Sequence, residues 1–281
     1  MRKIIFAIAV VVAVILISCQ KEIDWGLGTS PNVAQTLVRI KTRTGTDTTQ
    51  VDYTYDANKR IIREKTSGMG SGINLDNDLL INRNASGIIT TTVQKAAALV
   101  AAGIDSVVTR FNYDAATSKY TSSVFDLGIP GFAVTDSAVY AYDASGRITS
   151  DAHYLSIAGF PLPPMLILKN SYTYGGINLV MVKQDAATTP GDPLSPVSSQ
   201  TYTFDTKANP LVILNEAVLL SRPGLYSANN ATKAVVANIP DPTQDFTMDY
   251  TYSYFITTKP DSSIGTRTPG GQVTIAKYYY Q

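Results

Sequence analysis

The stretch Val139-Tyr-Ala-Tyr-Asp-Ala-Ser-Gly-Arg-Ile-Thr-Ser-Asp-Ala-His-Tyr154 decides the fold. Tyr140 and Tyr142 stand two apart, so on an extended strand they share one face. Asp143-Ala-Ser-Gly146 has the Asp-first, Gly-last chemistry of a type I turn, and 147–154 leads back out. This is a β-hairpin in sequence form, and weaker copies of it fill most of the chain.

The copies are Tyr53-Thr-Tyr55-Asp56, Phe111-Asn-Tyr113-Asp114, Tyr172-Thr-Tyr174-Gly175 and Tyr202-Thr-Phe204-Asp205. Asn84-Ala-Ser-Gly87-Ile-Ile-Thr repeats the turn without its aromatics. Turn positions 56, 84, 114, 143, 175 and 205 are therefore separated by 28, 30, 29, 32 and 30 residues. A fixed period near thirty means a repeat architecture, and thirty residues hold two strands, a tight turn and a longer return. The expectation is an all-β fold, an antiparallel repeat meander of hairpins forming one large curled sheet or partly closed barrel. It occupies a single domain over 35–281. Strand 37–43 pairs with 49–55, strand 198–204 with 211–216, and a last hairpin turns near Gly270-Gly271. The segment 222–242 is irregular.

With the tight turns at one end, the longer connections 96–104, 126–132, 157–165, 189–196 and 219–225 are placed at the other. The first reads as a short helix, because alanine favours one. The rest carry apolar side chains amid Gly and Pro, and they give the candidate binding residues Ile129 with Pro130, Phe132, Phe160, Leu162, Met165 and Leu225. These loops either fold inward and plug a curled sheet, or form a contact surface for a lipid, glycan or protein partner. The tyrosine stripe has the same two readings, as core or as a sugar-stacking platform.

At the other extreme of the chain, Arg2 and Lys3 precede an unbroken apolar run of 14 residues, Ile4 to Ile17. That is too short to cross a bilayer, which takes ~20 residues as a helix, and it reads as a signal peptide over 1–18. Leu16-Ile17-Ser18-Cys19 resembles the lipobox of bacterial lipoproteins, which implies acylation of Cys19, the only cysteine. Residues 19–34 then form a lipidated tether, and no disulfide is available. Gln20-Lys21-Glu22-Ile23-Asp24 resembles the signal that sends some Gram-negative lipoproteins to the outer face of the outer membrane. Without Arg2 and Lys3, twenty-one basic residues face 22 acidic ones. No basic run appears, which argues against nucleic acid as a partner.

Tyr142-Asp143-Ala-Ser-Gly146-Arg147-Ile148 is similar to the tyrosine-aspartate (YD) repeat of Rhs-type bacterial surface proteins, over Thr49 to about Glu216. The whole chain resembles repeat-bearing outer-membrane or surface lipoproteins of Gram-negative bacteria. The resemblance implies turn and packing roles for Tyr55, Asp56, Tyr113, Asp114, Tyr142, Asp143 and Gly146. In large members such repeats wind into a shell around a toxin, whereas here only about eight hairpins are available.

Chemistry is sparse. His153, the single histidine, shares a strand face with Asp151, while Ser150 faces the other way, so the three do not make a triad. It reads as a sheet-surface histidine. One histidine without a remaining thiol does not supply a zinc site. Asn74-Leu-Asp76-Asn-Asp78 begins like a calcium loop, but Leu79 and Ala85 stand where glycine and glutamate are required. Gly68-Met-Gly-Ser-Gly72 lacks the Lys-Ser/Thr of a phosphate cradle. The expectation is a non-enzymatic, surface-exposed lipoprotein that uses no cofactor or metal. It binds a glycan or protein partner through its loops or an aromatic sheet face. The alternatives are a periplasm-facing carrier of an apolar ligand and, third, a glycoside hydrolase.

Overall fold

The computed structural model describes residues 36–281, apart from 130–131, 160–161, 212, 214, 223–225 and 255–258. The expected signal peptide, Cys19 and the expected tether lie outside these residues. The chain forms β1 (Leu37–Thr44), β2 (Asp47–Tyr55), β3 (Ile61–Gly70), β4 (Ile73–Asn74), β5 (Asn77–Arg83), β6 (Ile89–Ala96), α1 (Ala97–Ala101), β7 (Val107–Asp114) and β8 (Lys119–Ile129). It continues with β9 (Phe132–Tyr142), β10 (Ile148–Ile157), β11 (Met165–Gly175), β12 (Asn178–Ala186), β13 (Ser195–Ala208), α2 (Asn215–Leu219), β14 (Asn229–Asn238), β15 (Phe246–Tyr254), β16 (Pro260–Thr268) and β17 (Val273–Tyr280).

All pairing is antiparallel between chain neighbours, as a meander requires. The pairing of β1 with β17, from Leu37↔Tyr280 to Thr44↔Thr274, then joins first strand to last. The short β4 pairs only with β3, and the other sixteen strands close into a barrel. The expectation of a curled or partly closed sheet is corrected here. Closure leaves none of those sixteen strands an unpaired edge, and the twist of a long meander curls it until its ends meet.

One end of the barrel, the turn end, carries connections 56–60, 84–88, 115–118, 143–147 and 176–177 together with both ends of the described chain. Thr36 N–H donates to the Gln281 carbonyl at 2.7 Å. The opposite rim end carries the longer returns, including α1 where a short helix is expected.

The repeat sets both the turns and the inward faces. Asp143 accepts from the N–H groups of Ser145 and Arg147 and from Arg147 Nε, and Asp56 does the same with Asn58 and Arg60. Those backbone donors hold both carboxyls below their ordinary pKa. The fourth residue of the turn has positive φ, which Gly87 and Gly146 adopt freely and Lys59 adopts at 60°. The residue that follows each turn enters the core: Ile61, Ile89 and Ile148 are 4%, 0% and 0% exposed.

The tyrosines of the stripe face inward among the described residues, so its core reading holds. Their hydroxyls have one recurring task. Tyr55, Tyr142, Tyr174, Tyr252 and Tyr280 donate to the carbonyls of Leu37, Tyr120, Ile148, Ala231 and Pro260 at 2.5–2.9 Å. Each acceptor lies at a register shift near the start of a strand. A bulge frees a carbonyl from the ladder, and the neighbouring tyrosine satisfies it. Burial, the largest influence, pushes the Tyr142 hydroxyl up to about 12, so it stays a neutral donor.

Candidate functional site

Three places carry polar or exposed groups that the hairpin rule does not require. The first is a plug across the turn end. After β13 the expected strand 211–216 does not form. The described residues between 209 and 228 pack inside the barrel instead and include α2, whose Ala217, Val218 and Leu219 are buried with Leu211 and Tyr226. They join the core of Ile61, Ile89, Ile148 and Tyr172. Polar groups lock the plug to distant strands. Glu216 makes a two-pronged pair with Arg83 at 2.7 Å, and Arg222 reaches Glu64 at 2.9 Å. Asn215 donates to the Gly146 carbonyl and accepts from the Ile148 N–H. The connection that contains Leu225 therefore belongs to the turn end, although Leu225 itself lies outside the described residues.

The second place is a polar belt inside β8–β12. His153 faces the interior, which corrects the surface reading. Asp136 and Asp151 flank it, with Nδ1 3.0 Å from Asp136 Oδ1 and Nε2 3.6 Å from Asp151 Oδ1. Burial lowers the imidazole pKa, but the hydrogen bond and charge of Asp136, joined by those of Asp151, outweigh it and hold the pKa at about 10. His153 is thus an imidazolium at neutral pH, a charge-balancing centre with no lone pair free to act as a base. Asp151 also accepts from Asn170 and Tyr172, and Gln184 donates to Asn170. Sequence reading missed Asp136. The register across the 143–147 turn, which sets His153 opposite Ala138, would have found it.

The third place is the rim. Leu162 is 59% exposed there, and Met165 is partly buried at the start of β11. The side chains of Ile129 and Phe132, and all of Pro130 and Phe160, lie outside the described part. Other exposed apolar residues gather at the same end: Met69, Ile73, Val100, Ile239 and Val273. Connections 45–46, 70–76, 97–106, 130–131, 158–164, 187–194, 239–245 and 269–272 contain Asp76, Asp105, Asp192, Asp241 and Asp245 and no Lys or Arg.

The outer wall carries charge on many of its strands. Arg39–Asp52, Arg63–Asp78, Arg110–Asp126 and Lys233–Asp249 pair across neighbouring strands, and Lys41, Lys65, Lys169 and Lys277 are exposed among them. A charged residue on the lipid face of a membrane barrel costs about 2–4 kcal/mol at the bilayer midplane.

Among the described residues no helix is long and apolar enough to cross a membrane, and no group of three or more His, Cys, Asp or Glu is arranged to hold a metal ion. No protein-family model and no curated protein sequence matches the chain. Solved structures do. A porin-like protein from Bacteroides uniformis matches with a TM-score of 0.53 at 12% identity, covering 87% of this chain and 96% of its own. One from Bacteroides vulgatus matches with a TM-score of 0.54 at 10% identity, covering 88% and 99%. TcdB2–TccC3 without its hypervariable C-terminal region matches with a TM-score of 0.28 at 15% identity over 74% of this chain and 10% of its own, too weakly to bear on the fold. The two full-length matches make the architecture plain: this chain shares the closed-barrel fold of porin-like proteins.

Proposed function

We propose that the protein is a non-enzymatic lipoprotein of the Gram-negative outer membrane. It is tethered through Cys19 and stands in water rather than in the bilayer, with its rim presented to a protein partner outside the cell. The observation that carries this reading is the pairing of a charged outer wall with a described chain that begins at the turn end. A tether leaving Thr36 draws the turn end toward the membrane and points the rim away. Cys19 and Thr36 are seventeen positions apart, a reach of up to about 55 Å when extended. A carrier requires space inside the barrel, and the plug occupies the turn-end interior, so contact through the rim is preferred.

Two measurements test the proposal. Cys19→Ser should move the protein from the membrane to the soluble fraction; continued membrane association disproves the anchor. Leu162→Cys should react with a membrane-impermeant maleimide on intact cells. Labelling only after lysis disproves surface display.

A further inference from the structure

Two motifs left unused by the hairpin rule, Gly68-Met-Gly-Ser-Gly72 and Asn74-Leu-Asp76-Asn-Asp78, meet at one point of the rim. There β3 runs on beyond its pairing with β5 and folds back as β4, with Met69 opposite Asn74 and Gly70 opposite Ile73. The result is a two-stranded finger outside the closed ring. Leu75 packs directly on the Gly70 backbone, where a Cβ would sit 2.5 Å from Leu75 Cδ1. The finger is fixed to both neighbouring connections. Ser71 N–H donates to Asp47 Oδ2 at 2.5 Å, and Ala97 N–H, at the head of α1, donates to the Asp76 carbonyl at 2.8 Å.

This sector leaves Ile73 63% exposed, Val100 59% and Met69 43%. Interleaved with them are the carboxylates of Asp47, Asp76 and Asp105. The neighbouring cations stand on the outer wall: Lys65 and Lys95 lie opposite Asp78 in the ladder, Arg63 pairs with it, and Arg43 on β1 lies opposite Thr48, while the connections themselves hold only the carboxylates. A rigid, protruding, apolar surface edged with negative charge repels anionic lipid and nucleic acid. It complements a surface that is apolar and positive.

We propose that the β3–β4 finger, with the α1 connection beside it, is the docking sector of the rim. Its occupant is a polypeptide segment that presents Lys or Arg beside apolar side chains. This inference rests on the rim reading above and narrows it to one sector and one partner chemistry.

The test uses the purified full-length protein and three fluorescent peptides read by anisotropy at ~0.15 M salt: an amphipathic Leu/Lys helix, its Leu/Glu counterpart and a Ser/Lys counterpart. The Leu/Lys peptide should bind at least tenfold tighter than either of the others. The exposed pair Ile73→Ser with Val100→Ser should weaken it at least tenfold, and so should Asp105→Lys. Ile177→Ser, an exposed substitution at the turn end, should change nothing, and unchanged melting temperatures will show that the variants fold. Equal binding of the Leu/Glu peptide overturns the inference. Loss of binding in Leu162→Ser but not in the Ile73/Val100 pair also overturns it while leaving the rim reading intact. Indifference to all rim substitutions overturns both.

Discussion

The turn end and the rim end close the same sixteen strands by opposite means. At the turn end the charged groups of the turns and the plug form pairs: Arg60 with Asp56, Arg147 with Asp143, Arg83 with Glu216 and Arg222 with Glu64. Tyrosine hydroxyls satisfy the carbonyls freed by bulges, and a plug fills the interior. At the rim the connections carry only negative charge, and apolar side chains stand in water. The contrast separates two duties. The repeat places stability where the chain must close, and it leaves the returning loops free of structural obligation, which is where binding residues are generally found.

Perturbations should respect that division, and the largest effect belongs to the plug. Glu216→Ala leaves the Arg83 guanidinium, whose side chain is 5% exposed, without its carboxylate, and should cost about 3–5 kcal/mol in chemical denaturation. A loss below about 1 kcal/mol would mean that the plug is an ornament and the two ends are equivalent. Next comes the belt between the ends. Because the folded His153 pKa is raised from 6.5 to about 10, its stabilising contribution is complete below about pH 6.5 and is lost as pH rises toward 10. A pH series of melts should show this decline, and His153→Gln should flatten it while costing about 3 kcal/mol at pH 6, since two carboxylates then face each other unbalanced. A slope that survives the substitution assigns the titration elsewhere.

A smaller effect tests the tyrosine rule. Tyr142→Phe strands the Tyr120 carbonyl and should cost about 1–2 kcal/mol, whereas Tyr279→Phe on the outer wall should cost nothing measurable. Least of all, Leu162→Ser at the rim should shift stability by less than about 0.5 kcal/mol. A larger loss would show the rim to be core after all.

The hairpins were legible because turn chemistry and period-two alternation are local. Asp143 to Gly146, the two-apart spacing of the tyrosines, the short helix after β6 and the last hairpin can be read within a dozen residues. Closure was not, since it depends on β1 meeting β17, as in the contact of Thr44 with Thr274 across 230 residues. The plug was misread because Leu211 to Glu216 alternates well enough for a strand, while Ala217-Val-Leu219 completes an apolar turn that packs only when a barrel surrounds it. His153 was misplaced because its character comes from Asp136 on the neighbouring strand, and a one-strand view assigns a face without saying which face is dry. The rim residues Met69, Ile73 and Val100 passed unnoticed because nothing in their local pattern tells an exposed apolar side chain from a buried one.

The pairing of β1 with β17 also has a kinetic consequence. The first strand must wait with an open edge until the last arrives, and ring closure across the whole chain is the most non-local contact the fold makes. Such contacts slow folding and expose unpaired edges to other chains. Lys41 and Arg43, exposed along β1, place like charge on that waiting edge and act as gatekeepers against intermolecular pairing until the barrel is sealed.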